Sequence, residues 1–447
     1  MSSYDLIIKN GTCAITTPEN EIRLEKVDLG IKNGKILTIG LAANAKALST
    51  IDAKHLIVLP GVIDSQVHFR EPGLTHKEDL YSGTLSAIAG GVTSIFEMPN
   101  TKPNTSTREK LVEKLNLAQS KAKCDYAFFI GATNDNPPQL ESLSKIPGCC
   151  GVKIFMGSST GDLLVSEDKY LESIFQNVKN TPISVHCEDE AILKQRKSIA
   201  ENGKHPRFHH VWRNVDSALS ATKRIVHFAK KYNRSVHVLH VSSQEEMEFL
   251  ALNKSNATVE CLPQFLTLSA PECYERLGTY AQMNPPIREK YHQEALWKAL
   301  LKGVVDVIGS DHAPHTHAEK SLPYPSSPSG MTGVQTLLPL MLNHVSQKRL
   351  SLEKLIPLIS TNPARIFGAH HKGSISIGKD ADLTIIDLKK EKEITHSWIK
   401  SRCGWTPYDG MKVQGWPMMT IVRGQIAMRE DVIFSNTVGR AVEFLRA

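Results

Sequence analysis

Short apolar runs rich in β-branched residues alternate with longer segments of helical periodicity through the middle of the chain. This alternation is typical of repeated β-α units that build a parallel sheet. Strands of this kind spread over about 310 residues match the size of a closed (β/α)8 TIM barrel. The eight predicted strands are Val62 to Val67, Thr93 to Met98, Tyr126 to Ile130, Gly151 to Phe155, Ile183 to His186, Val236 to His240, Thr258 to Leu262 and Val304 to Ile308.

Helix start signals lie between these strands. Ser106 followed by Glu109 and Ser242 followed by Glu245 have the spacing of capping boxes, in which each side chain bonds the other residue's backbone. Asn362 precedes Pro363, which predicts a cap before a proline in the first helical position. The pattern therefore places helices directly after several of the predicted strands.

Both ends of the chain have a different pattern, typical of antiparallel β-structure. Asn10-Gly11 and Asn33-Gly34 separate short apolar runs, and this dipeptide favours hairpins because both residues tolerate positive φ. Similar runs return beyond Lys372. We expect residues 1–58 and 369–447 to form one small composite β-sandwich domain, and residues 59–368 to form the barrel.

Composition narrows the classes of protein that fit. The chain has 447 residues, 41% hydrophobic and 22% charged, which excludes disordered and collagen-like chains. The net charge of +7 is spread along the chain, which favours an anionic small-molecule substrate over nucleic acid. Eight cysteines without paired spacing indicate reduced thiols, and no stretch reads as a signal peptide or membrane span. We expect a cytoplasmic protein.

Polar side chains collect where the predicted strands end. His68 follows the first strand, His186 and His240 end the fifth and sixth, and Asp311 follows the eighth. In a parallel barrel these ends meet at one rim, where active sites lie. A single histidine at a strand end is more often structural, but His186 and His240 at equal depth on neighbouring strands favour a metal site. Imidazole and carboxylate ligands suit Zn²⁺.

Lys153 lies near the end of the fourth strand, at the same predicted rim. It could be an amphipathic side chain whose ammonium reaches solvent. Beside a metal, however, an ammonium would be an uncompensated like charge, so the amine must be neutral or converted to an anion. Carbamylation by CO₂ would supply two oxygens that can bridge two metal ions.

Asp311 and Arg70 each have a structural and a chemical interpretation. A carboxylate in the position of Asp311 could cap a loop, but facing a metal it can take a proton from the attacking water. Arg70, two residues beyond His68, presents a planar fork suited to a carboxylate, although a loop salt bridge is also possible. We favour the catalytic role for Asp311.

Several segments together resemble the amidohydrolase superfamily, and within it the dihydroorotases of the longer, class I type. The resemblance extends over nearly the whole chain, and motifs in a shared order are more specific than any one of them. The motifs are Leu59-Pro-Gly-Val-Ile-Asp64, Phe69-Arg-Glu-Pro-Gly73, Glu97-Met-Pro-Asn-Thr101, Gln282-Met-Asn-Pro-Pro-Ile-Arg288, Gly309-Ser-Asp-His-Ala-Pro-His315, Thr361-Asn-Pro-Ala-Arg365 and Gly378-Lys-Asp-Ala-Asp-Leu383.

The resemblance implies roles for individual residues. The implied reaction is the reversible closure of N-carbamoyl-L-aspartate to L-dihydroorotate and water, a step of pyrimidine synthesis, with Asp311 as the catalytic acid and base. Substrate would be held by Arg70, Asn100, Asn284 and His315. The implied metal ligands are His68, carbamylated Lys153, His186, His240 and Asp311.

Two positions depart from the family pattern. The first histidine of the His-x-His pair that normally ends strand 1 is Gln66 here, and an amide oxygen is a weaker zinc ligand than imidazole. We therefore expect one firmly bound zinc and a second that is weak or absent. Gln264, in Pro263-Gln264-Phe265, stands where paired histidines would be expected.

Two other functions fit parts of this pattern. A hydantoinase or allantoinase would use the same metal chemistry, but a neutral ring does not need the carboxylate-binding set that Arg70 and Asn100 supply. Alternatively, Gln66 could mark a catalytically silent paralogue that serves as a structural partner of aspartate transcarbamoylase. Lys153 and Asp311 are both present, which argues against a loss of catalysis. A homodimer fits the resemblance, whereas nucleic-acid and membrane partners do not.

Overall fold

A computed structural model describes residues 4–17, 19, 21–41, 44–158, 163–434 and 436–446. The first part of the chain contributes short strands to two sheets that lie beside the barrel. Their bounds are Tyr4–Lys9 (β1), Thr12–Thr16 (β2), Ile22–Lys26 (β3), Leu29–Lys32 (β4), Lys35–Ile39 (β5), Ala47–Asp52 (β6) and Ile57–Pro60 (β7).

Eight parallel strands form the nearly closed barrel that the sequence predicts. Almost every position on them is buried, as expected for a parallel sheet covered on both faces. A parallel bridge joins Val67, at the end of the first strand, to His312, just after the last strand, and the backbone N–H of His68 donates to the His312 carbonyl at 2.7 Å. The strands are Val62–Val67 (β8), Val92–Glu97 (β9), Asp125–Gly131 (β10), Cys149–Phe155 (β11), Ile183–His186 (β12), Val236–Val238 (β13), Ala257–Cys261 (β14) and Val307–Ile308 (β15).

Helices follow the barrel strands and pack around them. Their bounds are Leu80–Ala89 (α1), Arg108–Lys121 (α2), Pro137–Leu143 (α3), Asp168–Asn177 (α4), Glu190–Gly203 (α5), His209–Trp212 (α6), Val215–Lys231 (α7), Gln244–Ala251 (α8), Pro263–Thr267 (α9), Glu272–Leu277 (α10), Lys290–Leu301 (α11), His317–Lys320 (α12), Leu337–Ser346 (α13), Leu352–Ile356 (α14) and Asn362–Phe367 (α15). Within the described ranges no helix is long and apolar enough to cross a membrane.

The far end of the chain returns to the first strands, as predicted. Its strands are Leu383–Ile394 (β16), Met411–Val422 (β17), Gln425–Arg429 (β18) and Val432–Ile433 (β19). β16 pairs antiparallel with β7, which places both chain ends in one seven-stranded sheet of order β19-β18-β17-β16-β7-β2-β3. The second sheet has the order β5-β4-β1-β6, and apolar residues from both chain ends share one core cluster.

One of the two predicted hairpins is correct. Asn33 and Gly34, with φ of 51° and 75°, join the antiparallel pair β4 and β5. The hairpin at Asn10-Gly11 is wrong, because β1 pairs with β4 and β6 whereas β2 pairs with β3 and β7. Asn10 does have φ 62°, but the turn carries the chain between two sheets, where a Cβ on Gly11 would lie 3.0 Å from Ala53.

The predicted helix caps are each displaced by one residue. α2 is capped by Thr107, which accepts from the Lys110 N–H, and α8 by Ser243, which accepts from the Glu246 N–H. The predicted boxes at Ser106 and Ser242 are therefore wrong in register. Asn362 is not a cap either, because it has helical φ and ψ and follows directly on the preceding π-helical turn.

Candidate active site

A small buried cavity of about 20 Å³ lies at the carboxyl ends of the barrel strands. All of the predicted site residues except His315 line it. The fold brings together side chains that are far apart in sequence, since they come from several different strand ends. The lining residues are Gln66, His68, Arg70, Asn100, Lys153, Phe155, His186, His240, Asn284, Asp311, Ala313, Ser329 and Gly330.

The predicted metal-binding side chains form two contact pairs across this cavity. His68 Nε2 lies 3.1 Å from Asp311 Oδ1, and His186 Nδ1 lies 3.0 Å from His240 Nε2. Asn100, predicted to hold substrate, has its Oδ1 2.7 Å from His68 Nδ1, so it also orients that ring. Each imidazole thus directs one nitrogen towards another potential ligand.

Lys153 is nearly fully buried beside these pairs, and its ammonium lies 4.6 Å from the centre of the Phe155 ring. Burial lowers the pKa of Lys153 to about 7, although the carboxylates of Asp311 and Glu260 act in the opposite direction. The cause is the loss of hydration, which disfavours the charged amine. A substantial fraction of this amine is therefore neutral, and hence nucleophilic, near neutral pH.

The backbone is strained at three of the lining residues. Arg70, His240 and Asp311 have φ of 63°, 38° and 45°, a region that residues with a side chain seldom adopt. Such conformations cost of order 1–3 kcal/mol each and persist where the surrounding structure holds them. Here they turn side chains inward directly after the strand ends, and this explains why β13 stops at Val238 rather than at His240 as predicted.

Arg70 supplies the positive charge of the cavity. Its side chain is buried, its Nε donates to the Pro314 carbonyl at 3.1 Å, and burial lowers its pKa to about 10, which leaves it charged at neutral pH. His315 lies behind it, with Nε2 3.3 Å from an Arg70 nitrogen and 3.0 Å from the Ser329 carbonyl. Lys77, which the sequence analysis missed, lies 3.0 Å from His315 Nδ1.

The two departures from the family pattern have different surroundings. Gln66 donates from Nε2 to Asp311 Oδ1 at 3.1 Å, while its Oε1 is buried without a hydrogen-bond partner. Its carbonyl oxygen can therefore still serve as a ligand. Gln264 instead donates to the Ser310 carbonyl at 2.6 Å, which ties α9 to the end of the last barrel strand. That contact gives Gln264 a structural role.

Sequence reasoning also left out the partners of His186. Glu188 Oε2 lies 2.9 Å from His186 Nε2, and Arg213 forms an ion pair with the same carboxylate. Burial raises the pKa of Glu188, but the Arg213 guanidinium and the His186 imidazole together outweigh burial and lower that pKa to about 2. The only available signal was the carboxylate two residues after a strand-ending histidine. Arg213 is 25 residues further along, so nothing local pointed to it.

The side chains present fit a zinc ion. They are buried nitrogen and oxygen donors, and Gln66 Oε1, in the residue that lines the cavity beside Asp311, lacks a hydrogen-bond partner. The predicted metal ligands of the rim form two separate contact pairs. In the described ranges, sets of three ligand atoms within 4.8 Å of one another lie outside this rim. Those sets are His370, His371 and Glu443, and Asp125, Asp380 and Asp382, the second of which surrounds the ammonium of Lys372.

A larger cavity of about 520 Å³ adjoins the site, and Asn284 and Ser329 line both cavities. Trp212, Arg213 and residues of α5 form its other walls. Asn284 Oδ1 lies 2.9 Å from His209 Nε2, which fixes the amide between the two cavities. The larger cavity therefore adjoins the rim at Asn284 and Ser329, and we call it the vestibule.

The fold and this rim define a (β/α)8 barrel enzyme whose chemistry lies at the carboxyl ends of its strands. The chain belongs to the amidohydrolase family, whose model matches residues 57–427. A dihydroorotase of Methanosarcina acetivorans is 34% identical over 423 residues, which cover 92% of this chain and 90% of the relative.

Hydantoinases are also similar to this chain. An L-hydantoinase of Paenarthrobacter aurescens is 32% identical over 456 residues, covering 98% of each chain. Among solved structures, the L-hydantoinase (dihydropyrimidinase) from Arthrobacter aurescens superposes with a TM-score of 0.93 at 30% identity, covering 98% of this chain and 100% of that one. The family is thus established, whereas two substrate classes are represented among its relatives.

Proposed function

We propose that this protein is a dihydroorotase, which interconverts N-carbamoyl-L-aspartate with L-dihydroorotate and water. The observation that carries the proposal is the buried, charged Arg70 in the same cavity as the candidate metal ligands. A substrate with a carboxylate beside its reacting amide matches a guanidinium beside a metal site. The similarity to archaeal dihydroorotases supports the same substrate.

The proposed zinc ligands are His68, carbamylated Lys153, His186, His240 and Asp311. When bound, zinc would polarise the amide carbonyl and lower the pKa of water at the site. Gln66 offers only an amide oxygen, so we propose one firmly bound ion and a second that binds weakly. The neutral fraction of Lys153 near pH 7 is the form that can react with CO₂.

The chain's own residues bind the substrate and move its protons. Arg70 pairs with the carboxylate, and the Asn284 amide, held by His209, faces the ring from the vestibule side. In the hydrolytic direction water attacks the ring carbonyl carbon and the carbon–nitrogen bond breaks. Asp311 takes a proton from that water and passes it to the departing ring nitrogen; in the other direction it runs the transfer in reverse.

A hydantoinase is the second candidate, favoured by the L-hydantoinase relatives. It would use the same rim on a ring without a carboxylate, so Arg70 would have no partner in the complex. A buried cation without a partner is costly, which is why we place the hydantoinase second. The silent paralogue, the homodimer, the cytoplasmic location and the association with aspartate transcarbamoylase stay predictions.

The test compares substrates and an Arg70 variant in zinc-loaded protein. We expect turnover of L-dihydroorotate and N-carbamoyl-L-aspartate, with little on hydantoin or allantoin. Arg70→Gln should lower kcat/KM for L-dihydroorotate by about 100-fold or more, since it removes one partner of a buried charge pair. Arg207→Gln, at a surface residue, is the matched control and should change nothing.

Two results would contradict the proposal. One is cleavage of hydantoin by protein that leaves L-dihydroorotate untouched, which would indicate the hydantoinase. The other is folded, zinc-loaded protein that turns over none of these substrates, which would indicate the silent paralogue.

A further inference from the structure

The hydrogen bonds of His186 determine which of its nitrogens can bind a metal. Its Nε2 lies 2.9 Å from Glu188 Oε2, and an ionised carboxylate only accepts hydrogen bonds. Nε2 must therefore carry the proton and donate it. The other nitrogen, Nδ1, then has a lone pair, and it faces His240 Nε2 at 3.0 Å. The lone pair points towards the candidate metal position rather than away from it.

Glu188 is itself fixed by Arg213. The guanidinium approaches both carboxylate oxygens, with Nε 3.0 Å from Oε1 and 3.1 Å from Oε2, so the carboxylate cannot rotate freely. Glu188, Arg213 and His186 are all at least 98% buried. Water therefore does not replace either contact, and the orientation of the imidazole depends on the ion pair.

Arg213 is anchored in turn by contacts from other loops. A second guanidinium nitrogen donates to the Ser158 carbonyl at 2.8 Å, just after the end of the Lys153 strand. The Arg213 carbonyl accepts from Arg288 at 3.1 Å, and Arg288 also donates to Ser242 at 3.0 Å. The ion pair is thus held by segments that follow three different barrel strands.

We infer that Glu188 and Arg213 are positioning residues, which hold His186 as the Nε2–H tautomer with Nδ1 directed at a bound zinc ion. This inference rests on the proposed function for the presence of zinc at the rim. Carboxylates that hold metal-bound histidines typically account for 10- to 100-fold in metal affinity. A purely structural ion pair would stabilise the fold without affecting metal binding.

The experiment measures zinc affinity by chelator competition, with no substrate present. Glu188→Gln should weaken zinc binding by about 10- to 100-fold. Because this change leaves Arg213 buried without a counter-ion, the double variant Glu188→Gln/Arg213→Met, which removes both charges, is measured beside it. The matched control is Asp189→Asn, at the next residue, which caps α5 and should keep wild-type affinity.

Weakened zinc binding in the folded double variant, with wild-type affinity in Asp189→Asn, would support the inference. Wild-type zinc affinity in the folded double variant would overturn it, as would wild-type protein that binds no zinc. Failure of the proposed function gives a different result. In that case the variants weaken zinc binding as expected, yet the loaded wild-type protein does not turn over L-dihydroorotate.

Discussion

At the scale of single residues, burial decides what the ionisable groups of the rim can do. Lys153 has its pKa lowered to about 7, while Arg70 at about 10 stays a cation. One side chain can therefore become a nucleophile towards CO₂, and the other can hold a carboxylate. Both residues line the same small cavity, so the difference comes from their side-chain chemistry.

The lowered pKa of Lys153 predicts a pH profile for carbamylation. Only the neutral amine reacts with CO₂, and its fraction rises with pH up to the pKa. At constant dissolved CO₂, chelated protein should carbamylate ~10-fold faster per pH unit below about 7 and then level off. Carbon-13 NMR with labelled CO₂ measures this rate, and Lys153→Met assigns the signal.

An ordinary lysine would give a different carbamylation profile. Its pKa near 10.4 means that the rate would keep rising to about pH 10. A continued rise in the Lys153 signal well above pH 7 would therefore contradict the role of burial.

The candidate site residues were predictable where they directly follow a strand end. His68, His186, His240 and Asp311 could be found from sequence because parallel strands bring their carboxyl ends to one rim. Arg213 and Lys77 could not be found in this way, because the residues that they contact are remote in sequence and the loops that carry them have no periodic pattern. Which residues they contact depends on tertiary packing alone.

At the scale of helices and strands, the sequence predicted the presence of each element more accurately than the residue at which it begins. The barrel strands are short runs rich in β-branched residues, so their pattern is strong, whereas adjacent hydroxyl residues give competing cap registers. Ser106 and Thr107 precede α2, and only Thr107 accepts from the helix backbone. Likewise, the Asn-Gly dipeptide at residues 10–11 marks a tight turn but does not determine which strands pair.

The cap assignment for α2 makes a local prediction. Thr107→Ala should destabilise the first turn of α2 by about 1 kcal/mol, because the Lys110 N–H loses its acceptor. Ser106→Ala should change this stability by less than about 0.5 kcal/mol. Hydrogen exchange of the Lys110 amide measures both effects. A larger loss of stability in Ser106→Ala than in Thr107→Ala would instead support the capping box predicted at Ser106.

At the scale of the whole molecule, a buried ion cluster joins the barrel to the composite β domain. Lys372 lies 2.9 Å from Asp380 and 2.6 Å from Asp382, and it also pairs with Asp125 at the start of barrel strand β10. Arg423, which follows β17, pairs with Asp125 as well. The sequence pattern predicted that the two chain ends fold together, but it did not identify this junction.

Removing the Lys372 ammonium from this junction should be costly. Lys372→Met leaves several carboxylates together in a buried site, and we expect a loss of about 3–5 kcal/mol in the free energy of unfolding. Lys35→Met is the matched control, because Lys35 also pairs with Asp380 but is 46% exposed, and it should cost at most about 1 kcal/mol. Thermal unfolding compares the two variants, and equal losses would exclude a special role for the cluster.

In the proposed site, a lysine-derived anion and two imidazoles hold one metal ion at the mouth of the barrel. Anomalous diffraction at the zinc edge, from crystals grown with zinc and bicarbonate, tests it most directly. We expect a strong peak beside His186 Nδ1 and His240 Nε2, with extra density on Lys153 Nζ. A barrel mouth without an anomalous peak, beside an unmodified Lys153, would contradict it.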